Sequence, residues 1–471
     1  MPRKVFLLIL YVLVLGTLPF FNKEGYSSTE GNIRPLDSIE KDDRILILAP
    51  HPDDETIACA GVIQNAIAKG AQLKVVYLTN GDHNQLAFIV YEKRITLRKG
   101  EFIHMGRVRR KEAIAAMRLL GVNEKNLVFL GYPDFGTFSI FARYWKSEKP
   151  FKSMLTRISK VPYKENFSFG SAYKAENILK DIEAIISEYK PNKIFVSHPA
   201  DTNVDHKAFY LFLQIALLNL QDKIPPVKVY PYLVHCVGWP LPRHYHPQLD
   251  LNPPKQFQNA QINWMRLELT PEQLDKKYRA ILCYKSQTRS SAFYLLSFAR
   301  KNELFGDYPA VELKKQVSLK EQAVSFFGFS DLYQDFEDSA LANIDTQISG
   351  IKSGQVSYAV VDNSLFVRIE KTAEFNYRLV AQLYLFGYSS MTPFDKMPKI
   401  RILVKGKKID VYNQNTKVNS KGASSETTPQ VFILKIPLDL LGKPDMVLAS
   451  IRSFRGKLPV DVTGFRKLLI K

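Results

Sequence analysis

At 471 residues the chain exceeds the roughly 100–200 residues of a single domain, so two or three domains are expected. Hydrophobic residues make up 46% and charged residues 24%, with no glycine period or long polar tract, which excludes collagen-like and mainly disordered chains. Lys+Arg 65 against Asp+Glu 46 leaves a net charge of +19, which suits an anionic polysaccharide, phospholipid surface or nucleic acid without choosing among them.

Arg3 and Lys4 precede an apolar run from Val5 to Phe21, the layout of an export signal's charged and hydrophobic regions. The run of about 17 residues would cover roughly 25 Å as a helix, the short limit for a membrane span. Residues 1–22 therefore read as a signal peptide or an N-terminal anchor, and either places the remainder outside the cytoplasm: periplasmic, secreted or membrane-anchored. After a polar linker, Arg44–Ala49 reads as a strand buried on both faces of a parallel sheet. Thr56–Lys69 has helical apolar spacing and is stopped by Gly70, and Leu73–Thr79 is a second strand. Helix Arg107–Leu120, strand Leu127–Leu130, helix Ala175–Tyr189 and strand Lys193–Ser197 continue the alternation. This predicts an α/β fold: a Rossmann-like open, mainly parallel sheet with helices on both faces.

The texture changes beyond about residue 305. Ser357–Ile369, Asn376–Phe386, Lys399–Val404, Gln430–Ile436 and Val447–Phe454 are short β-rich runs separated by turn residues, predicting a C-terminal antiparallel β-sandwich. Lys417–Thr428 reads as a loop. The expected division is a first domain over 40–305, a linker over 306–344 and a sandwich over 345–471. Tyr377, Tyr384, Phe386 and Tyr388 are either sugar platforms, making the sandwich a carbohydrate-binding module, or alternate residues of its core.

Three cysteines, Cys59, Cys236 and Cys283, are too far apart for a thiolate cluster and odd in number, so any metal must rely on imidazole and carboxylate. Two clusters supply them, each directly after a predicted strand: His51-Pro52-Asp53-Asp54-Glu55, and His198-Pro199-Ala200-Asp201-Thr202-Asn203-Val204-Asp205-His206. Strand ends are where ligands bind in such sheets. If a helix begins in the first cluster, His51 and Asp54 at i, i+3 face one point while Asp53 projects elsewhere. One imidazole from the second cluster would complete a three-ligand set with a fourth position left for water. Taken alone, the first cluster is equally a helix N-terminus whose acids complement the dipole; the second makes a metal site the better reading.

The two motifs, APHPDDE at 49–55 and HPADTNVDHKA at 198–208, resemble those of the PIG-L/LmbE-like zinc-dependent N-acetylglucosaminyl deacetylases, and the resemblance covers roughly 44–300. It implies that His51, Asp54 and His206 bind Zn2+, that Asp53 is the general base, and that Asp205 orients its neighbours from behind. At Asn203 the family usually has a histidine that stabilises the oxyanion or protonates the leaving amine. Asparagine donates a hydrogen bond but supplies no proton, so another acid is needed, either Asp53 returning its proton or His235. Arg109-x-x-Glu112 is similar to a family stretch whose arginine contacts substrate, against the alternative of an exposed helical charge pair. Gly131-Tyr132-Pro133-Asp134 is similar to a segment whose aspartate, Asp134, would hydrogen-bond sugar hydroxyls. Lys285-Ser286-Gln287 is also family-like and reads as structural. His83, His104, His244 and His246 read as surface or loop histidines, and Trp239 and Trp264 as core or sugar platform.

The reading that follows is a metal-dependent hydrolase that removes N-acetyl groups from an amino-sugar-containing glycan or glycolipid outside the cytoplasm. The alternative is a non-catalytic glycan-binding envelope protein that retains the fold, its positive charge holding an anionic surface. Nucleic acid is not expected, because the basic residues are spread along the chain and no recognition motif occurs.

Overall fold

A computed structural model describes residues 33–83, 99–257, 262–317, 327–329, 333–334, 351–371, 380–406, 408–420, 422–428, 431–455 and 458–471. The N-terminal apolar run, Tyr377 and most of the expected linker lie outside them; among the described residues no helix is long and apolar enough to cross a membrane.

The first region runs β1 (Arg34–Pro35), β2 (Arg44–Ala49), α1 (Asp54–Lys69), β3 (Gln72–Thr79), α2 (Lys99–Leu120), β4 (Leu127–Tyr132), α3 (Thr137–Arg143), α4 (Ala175–Tyr189), β5 (Lys193–Ser197), α5 (Val204–Leu220), β6 (Lys228–Tyr232), β7 (Asn263–Glu268), α6 (Pro271–Ile281), α7 (Lys285–Leu295) and β8 (Asn302–Asp307). Its eight strands form one sheet in the order β1-β7-β8-β6-β5-β2-β3-β4. From β4 through β3, β2 and β5 to β6 every pairing is parallel. The antiparallel β8 then intervenes between β6 and β7, and β1 adds parallel to β7. The expected mainly parallel sheet is therefore mixed at one side. Alternate residues of β2 enter two separate cores, Ile45 and Ile47 on one face and Leu46 and Leu48 on the other. That explains why its apolar run is continuous. Residues of α1 and α2, such as Val62 and Met117, fill the first core, and residues of α4 and α5, such as Ile182 and Phe209, fill the second.

Several boundaries differ from the sequence reading: α2 begins at Lys99 rather than Arg107, α1 begins at Asp54 rather than Thr56, β3 begins at Gln72 and β4 runs on to Tyr132. Helix α1 is interrupted at Cys59 (φ −133°, ψ 15°). Just past the break, the N–H groups of Gly61 and Val62 donate to the Glu303 carboxylate at 2.8 and 3.2 Å. Lys277 Nζ balances that buried charge at 2.9 Å, both side chains being fully buried.

Among the described residues the second region forms a six-stranded and a nine-stranded sheet. Both contribute to one core, with Tyr358, Val367 and Leu434 from the first sheet and Leu383, Ile402 and Ile451 from the second. Val311–Leu313 and Lys315–Gln316, within the expected linker, already belong to these sheets. The expected loop at 417–428 needs correction: Thr416–Val418 and Ser424–Thr427 are short edge strands, whose polar sequence suits exposed positions.

The two regions share a core. Phe386, Phe394, Met397, Leu448 and Phe465 are buried with Phe141, Trp145 and Phe212. Phe386 stacks on Phe465 (5.8 Å, 16°) and meets Phe141 edge-on, and Tyr384 meets Phe138 edge-on at 5.1 Å. As sugar platforms, Phe386 and Tyr384 are thus corrected to packing residues of the joint. Trp239 and Trp264 are core residues, 6% and 7% exposed.

Breaking a buried ion pair leaves one charge uncompensated at a cost of about 3–5 kcal/mol. Lys277→Met is therefore expected to lower the urea-unfolding free energy by about that amount, and a second change, Glu303→Leu, is expected to recover part of it. An unaltered urea midpoint for the single variant would contradict this reading of the pair.

Candidate metal centre

Strands β2 and β5 are neighbours at the centre of the sheet, and the helices that follow them pack on opposite faces. The chain therefore leaves the carboxyl ends of both strands at a topological switch point, where such sheets open a crevice. The loop after β2 carries His51–Asp53, and the loop after β5 carries His198–Asn203.

Asp53 precedes α1 with φ 126° and ψ −30°, a conformation L-residues rarely adopt and one that persists when its surroundings over-determine it. The carbonyl of Asp53 accepts from the N–H groups of Thr56 and Ile57 at 3.0 and 2.9 Å, and its N–H donates to Glu55 Oε2 at 3.1 Å. Tyr284 OH donates to the other Glu55 oxygen. Arg109, only 4% exposed, donates to the carbonyls of Pro52 and Gly81 at 2.8 and 3.1 Å and to Asp53 Oδ2 at 3.2 Å. A Cβ on Gly81, whose φ is +66°, would sit 2.0 Å from Arg109 Nη1, so glycine is required for the arginine to lie against the loop.

The centre of the site is Asp54 Oδ2. It accepts the His51 backbone N–H at 2.9 Å and lies 3.2 Å from His51 Nδ1 and 3.1 Å from His206 Nε2. The ligand atoms of His51, Asp54 and His206 all fall within 4.8 Å of one another, and all three residues are buried. Neither nitrogen of His206 makes a well-aligned hydrogen bond. Behind His206, Nδ1 faces Asp201 Oδ2 at 3.1 Å, the carboxylate–histidine arrangement that orients metal-binding imidazoles. Behind His51, Nε2 faces Asp134 Oδ1 at 3.1 Å and Asp205 Oδ2 at 3.4 Å.

A second grouping of His51, Asp134 and Asp205 also has metal-like spacing; its Asp134 Oδ1 makes no well-aligned hydrogen bond, but its other carboxylate oxygens are engaged. Asp205 accepts from Phe135 N–H at 2.6 Å, from Thr137 N–H at 3.1 Å and from the Thr137 hydroxyl, and Asp134 Oδ2 accepts from His83 N–H at 3.0 Å. The first grouping fits a divalent cation. Its unpaired imidazole nitrogen points at a carboxylate oxygen, and Asp53, Asp54, Asp134, Asp201 and Asp205 are buried around it, an excess of negative charge that burial penalises unless it is compensated.

The same environment sets the protonation of the site. Burial pushes Asp53 up to about 7 against the opposing pull of Arg109, in the range suited to a base at neutral pH. Burial also resists the charge on Asp54, but the His206 and His51 imidazoles outweigh it and hold Asp54 well below the usual range. For His206, burial is outweighed by Asp201 and Asp54, which raise it to about 9. Burial lowers His235 to about 4, so that ring is neutral at pH 7.

The structure brings together His51, Asp53, Asp54, Asp134, Asp205 and His206. Asn203 caps α5 by accepting from Asp205 N–H at 2.8 Å, leaving its amide NH2 as a donor. His235 packs edge-on to His206 at 4.8 Å between ring centroids and stacks on Tyr294. Arg109 is no exposed charge pair, since it clamps Asp53. Its helical neighbour Glu112 accepts from Ser286 N–H and Oγ at 2.8 and 2.6 Å, which gives Lys285-Ser286-Gln287 a role in anchoring α7. Of the other histidines, His104 and His244 are exposed and His246 is half-buried, while His83 binds Asp134 through its backbone. Sequence reasoning missed Asp201 and Tyr284. Asp201 had a signal in its place within the second cluster; Tyr284 lies 229 residues from Glu55 and had none.

Residues 46–217 match the model of the PIG-L family, described as GlcNAc-PI de-N-acetylase. Over 202 residues the chain is 24% identical to the 1D-myo-inositol 2-acetamido-2-deoxy-alpha-D-glucopyranoside deacetylases of two Mycobacterium strains, KMS and JLS, covering 43% of this chain and 53% of each relative. The chain thus spans about half the length of the curated relatives it matches. Among solved structures, the N,N'-diacetylchitobiose deacetylase of Pyrococcus horikoshii is 18% identical, with 52% of this chain and 72% of that chain covered and a TM-score of 0.31.

Removing a carboxylate that orients a metal-binding imidazole costs about 10–100-fold in metal affinity. Asp201→Ala is expected to weaken divalent-cation binding by about that factor in competition with a chromophoric chelator. Equal affinity in the variant and the parent would show that Asp201 does not support a metal ligand.

Proposed function

We propose that the chain is a zinc-dependent N-deacetylase acting on an amino-sugar-containing glycan or glycolipid, and that it works outside the cytoplasm. The observation that carries the reading is the convergence of His51, Asp54 and His206 on one buried point, with the Asp53 carboxylate held beside it by Arg109. The PIG-L match over 46–217 and the acetamido sugar in the names of the mycobacterial relatives support the chemistry and the substrate class. The apolar run at 5–21 supports export.

His51, Asp54 and His206 would hold the zinc. When bound, such an ion polarises the acetamide carbonyl and lowers the pKa of a water toward neutrality. The protein's own groups do the rest. Asp53 is raised to about 7 and so accepts a proton from the attacking water at neutral pH and returns it to the departing amine. Asp201 holds the His206 ring, and Asp134 and Asp205 hold the His51 ring. The Asn203 amide donates a hydrogen bond to the carbonyl oxygen as negative charge develops there. His235, neutral at pH 7, lies against His206 as a further donor at the same opening. Acetate and a free amine are the products. The two sheets of the second region, which take in strands from Val311 onward, read as a β-sandwich accessory domain joined to a catalytic domain over 40–305.

The test uses the soluble part of the chain, zinc-loaded and checked for metal content, with acetate release measured from N-acetylglucosamine oligomers, glycolipids and isolated envelope polysaccharide. Asp53→Ala is expected to keep its zinc and to lose about 10²–10⁴-fold in rate. Chelation is expected to abolish release by the parent and added zinc to restore it. Zinc bound with no release from any of these substrates would favour a glycan-binding protein instead, and no zinc bound would remove the proposed site.

A further inference from the structure

Phe135 breaks two local rules at once. Its backbone is left-handed, with φ 56°, a region that bulky L-residues avoid. Its ring is 45% exposed, whereas Asp134 and Thr137 are 3% and 0% exposed. The turn has a reason: it lets the N–H groups of Phe135 and Thr137 converge on Asp205 at 2.6 and 3.1 Å. That reason does not extend to the side chain, because glycine or asparagine makes the same turn at lower cost without presenting an apolar ring to water.

The place of the ring supplies what the turn does not. Phe135 directly follows Asp134, whose Oδ1 lies 3.1 Å from His51 Nε2. The ring packs against His83 at 5.1 Å between centroids and 43° between planes, and the His83 N–H donates to Asp134 Oδ2. An exposed apolar face therefore borders the loop whose Asp134 and backbone N–H groups support the His51 ring, beside hydrogen-bonding groups. A pyranose ring has matching chemistry, an apolar C–H face bordered by hydroxyls, and an aromatic face contacts it with little ordering cost.

We infer that Phe135 is a substrate platform on which the sugar next to the acetamido residue stacks, so that the protein prefers oligosaccharides and glycosides over free N-acetylglucosamine. The inference rests on the deacetylase reading for its substrate class, and its own content is the dependence on chain length. In the zinc-loaded protein, Phe135→Asn keeps the left-handed turn and removes the ring, while Phe135→Tyr keeps the ring. For the acetylated trisaccharide of N-acetylglucosamine, Phe135→Asn is expected to raise KM about tenfold with kcat nearly unchanged. On the monosaccharide the change is expected to be under about twofold, and Phe135→Tyr is expected to match the parent.

Calorimetric titration with the same two sugars reads binding independently of turnover. The parent is expected to bind the trisaccharide more tightly, and Phe135→Asn to lose that preference. A parent without chain-length preference, or a preference that survives Phe135→Asn, overturns the inference. A preference that depends on Phe135 without acetate release from any substrate would sustain the platform and remove the deacetylase reading alone.

Discussion

The meeting of two imidazoles on one oxygen of Asp54 is the contact on which the rest of this site depends. A buried carboxylate is costly unless cationic groups or hydrogen bonds offset it. Here the offset comes from His51, three residues away, and from His206 in the first turn of α5. Each ring is in turn fixed by a carboxylate behind it, Asp134 and Asp205 for His51 and Asp201 for His206. The arrangement is stable only as a unit, because removing a member leaves charge buried and unmatched. It also accounts for the chemistry: the excess of carboxylates favours a cation at the centre, and burial raises Asp53 while the imidazoles hold Asp54 ionised.

The fold supplies this unit by topology. Two neighbouring parallel strands, β2 and β5, feed helices to opposite faces of the sheet, and the loops between carry the two polar clusters. Asp205 does more than its place in the second cluster suggests. By accepting the N–H groups of Phe135 and Thr137 it ties the loop after β4 to the same centre. Arg109 does the corresponding work for the loops after β2 and β3. Charged side chains act here as braces for backbone turns as much as partners for one another.

The second region is part of this framework. Besides the aromatic layer at the joint, its Phe465 N–H donates to the Pro199 carbonyl at 3.2 Å. A Cβ on Gly464 would stand 2.9 Å from Ala200 Cβ and 2.6 Å from the Tyr308 hydroxyl. The connection before the last C-terminal strand therefore presses on Pro199 and Ala200, within two residues of Asp201, whose carboxylate faces His206. A module tethered only by a flexible linker would make no such contact. The residues first considered as sugar platforms, Tyr384 and Phe386, are instead occupied in that joint.

By itself, the sequence determined the local features. Continuous apolar strands, helical spacing with glycine stops, and two imidazole–carboxylate clusters at strand ends placed the α/β sheet, the β-rich second region and the residues His51, Asp53, Asp54 and His206. Periodicity and spacing over a few residues encode these directly. The sequence did not reveal that β8 runs antiparallel within the sheet, because pairing direction depends on chain paths hundreds of atoms long rather than on local pattern. Nor did it distinguish Asp201 from Asp205 as the support of His206, or show that Arg109 is buried against Asp53. Those roles depend on which way a side chain points once distant loops have met, and only the tertiary structure decides that, since burial and charge compensation are properties of the assembled centre.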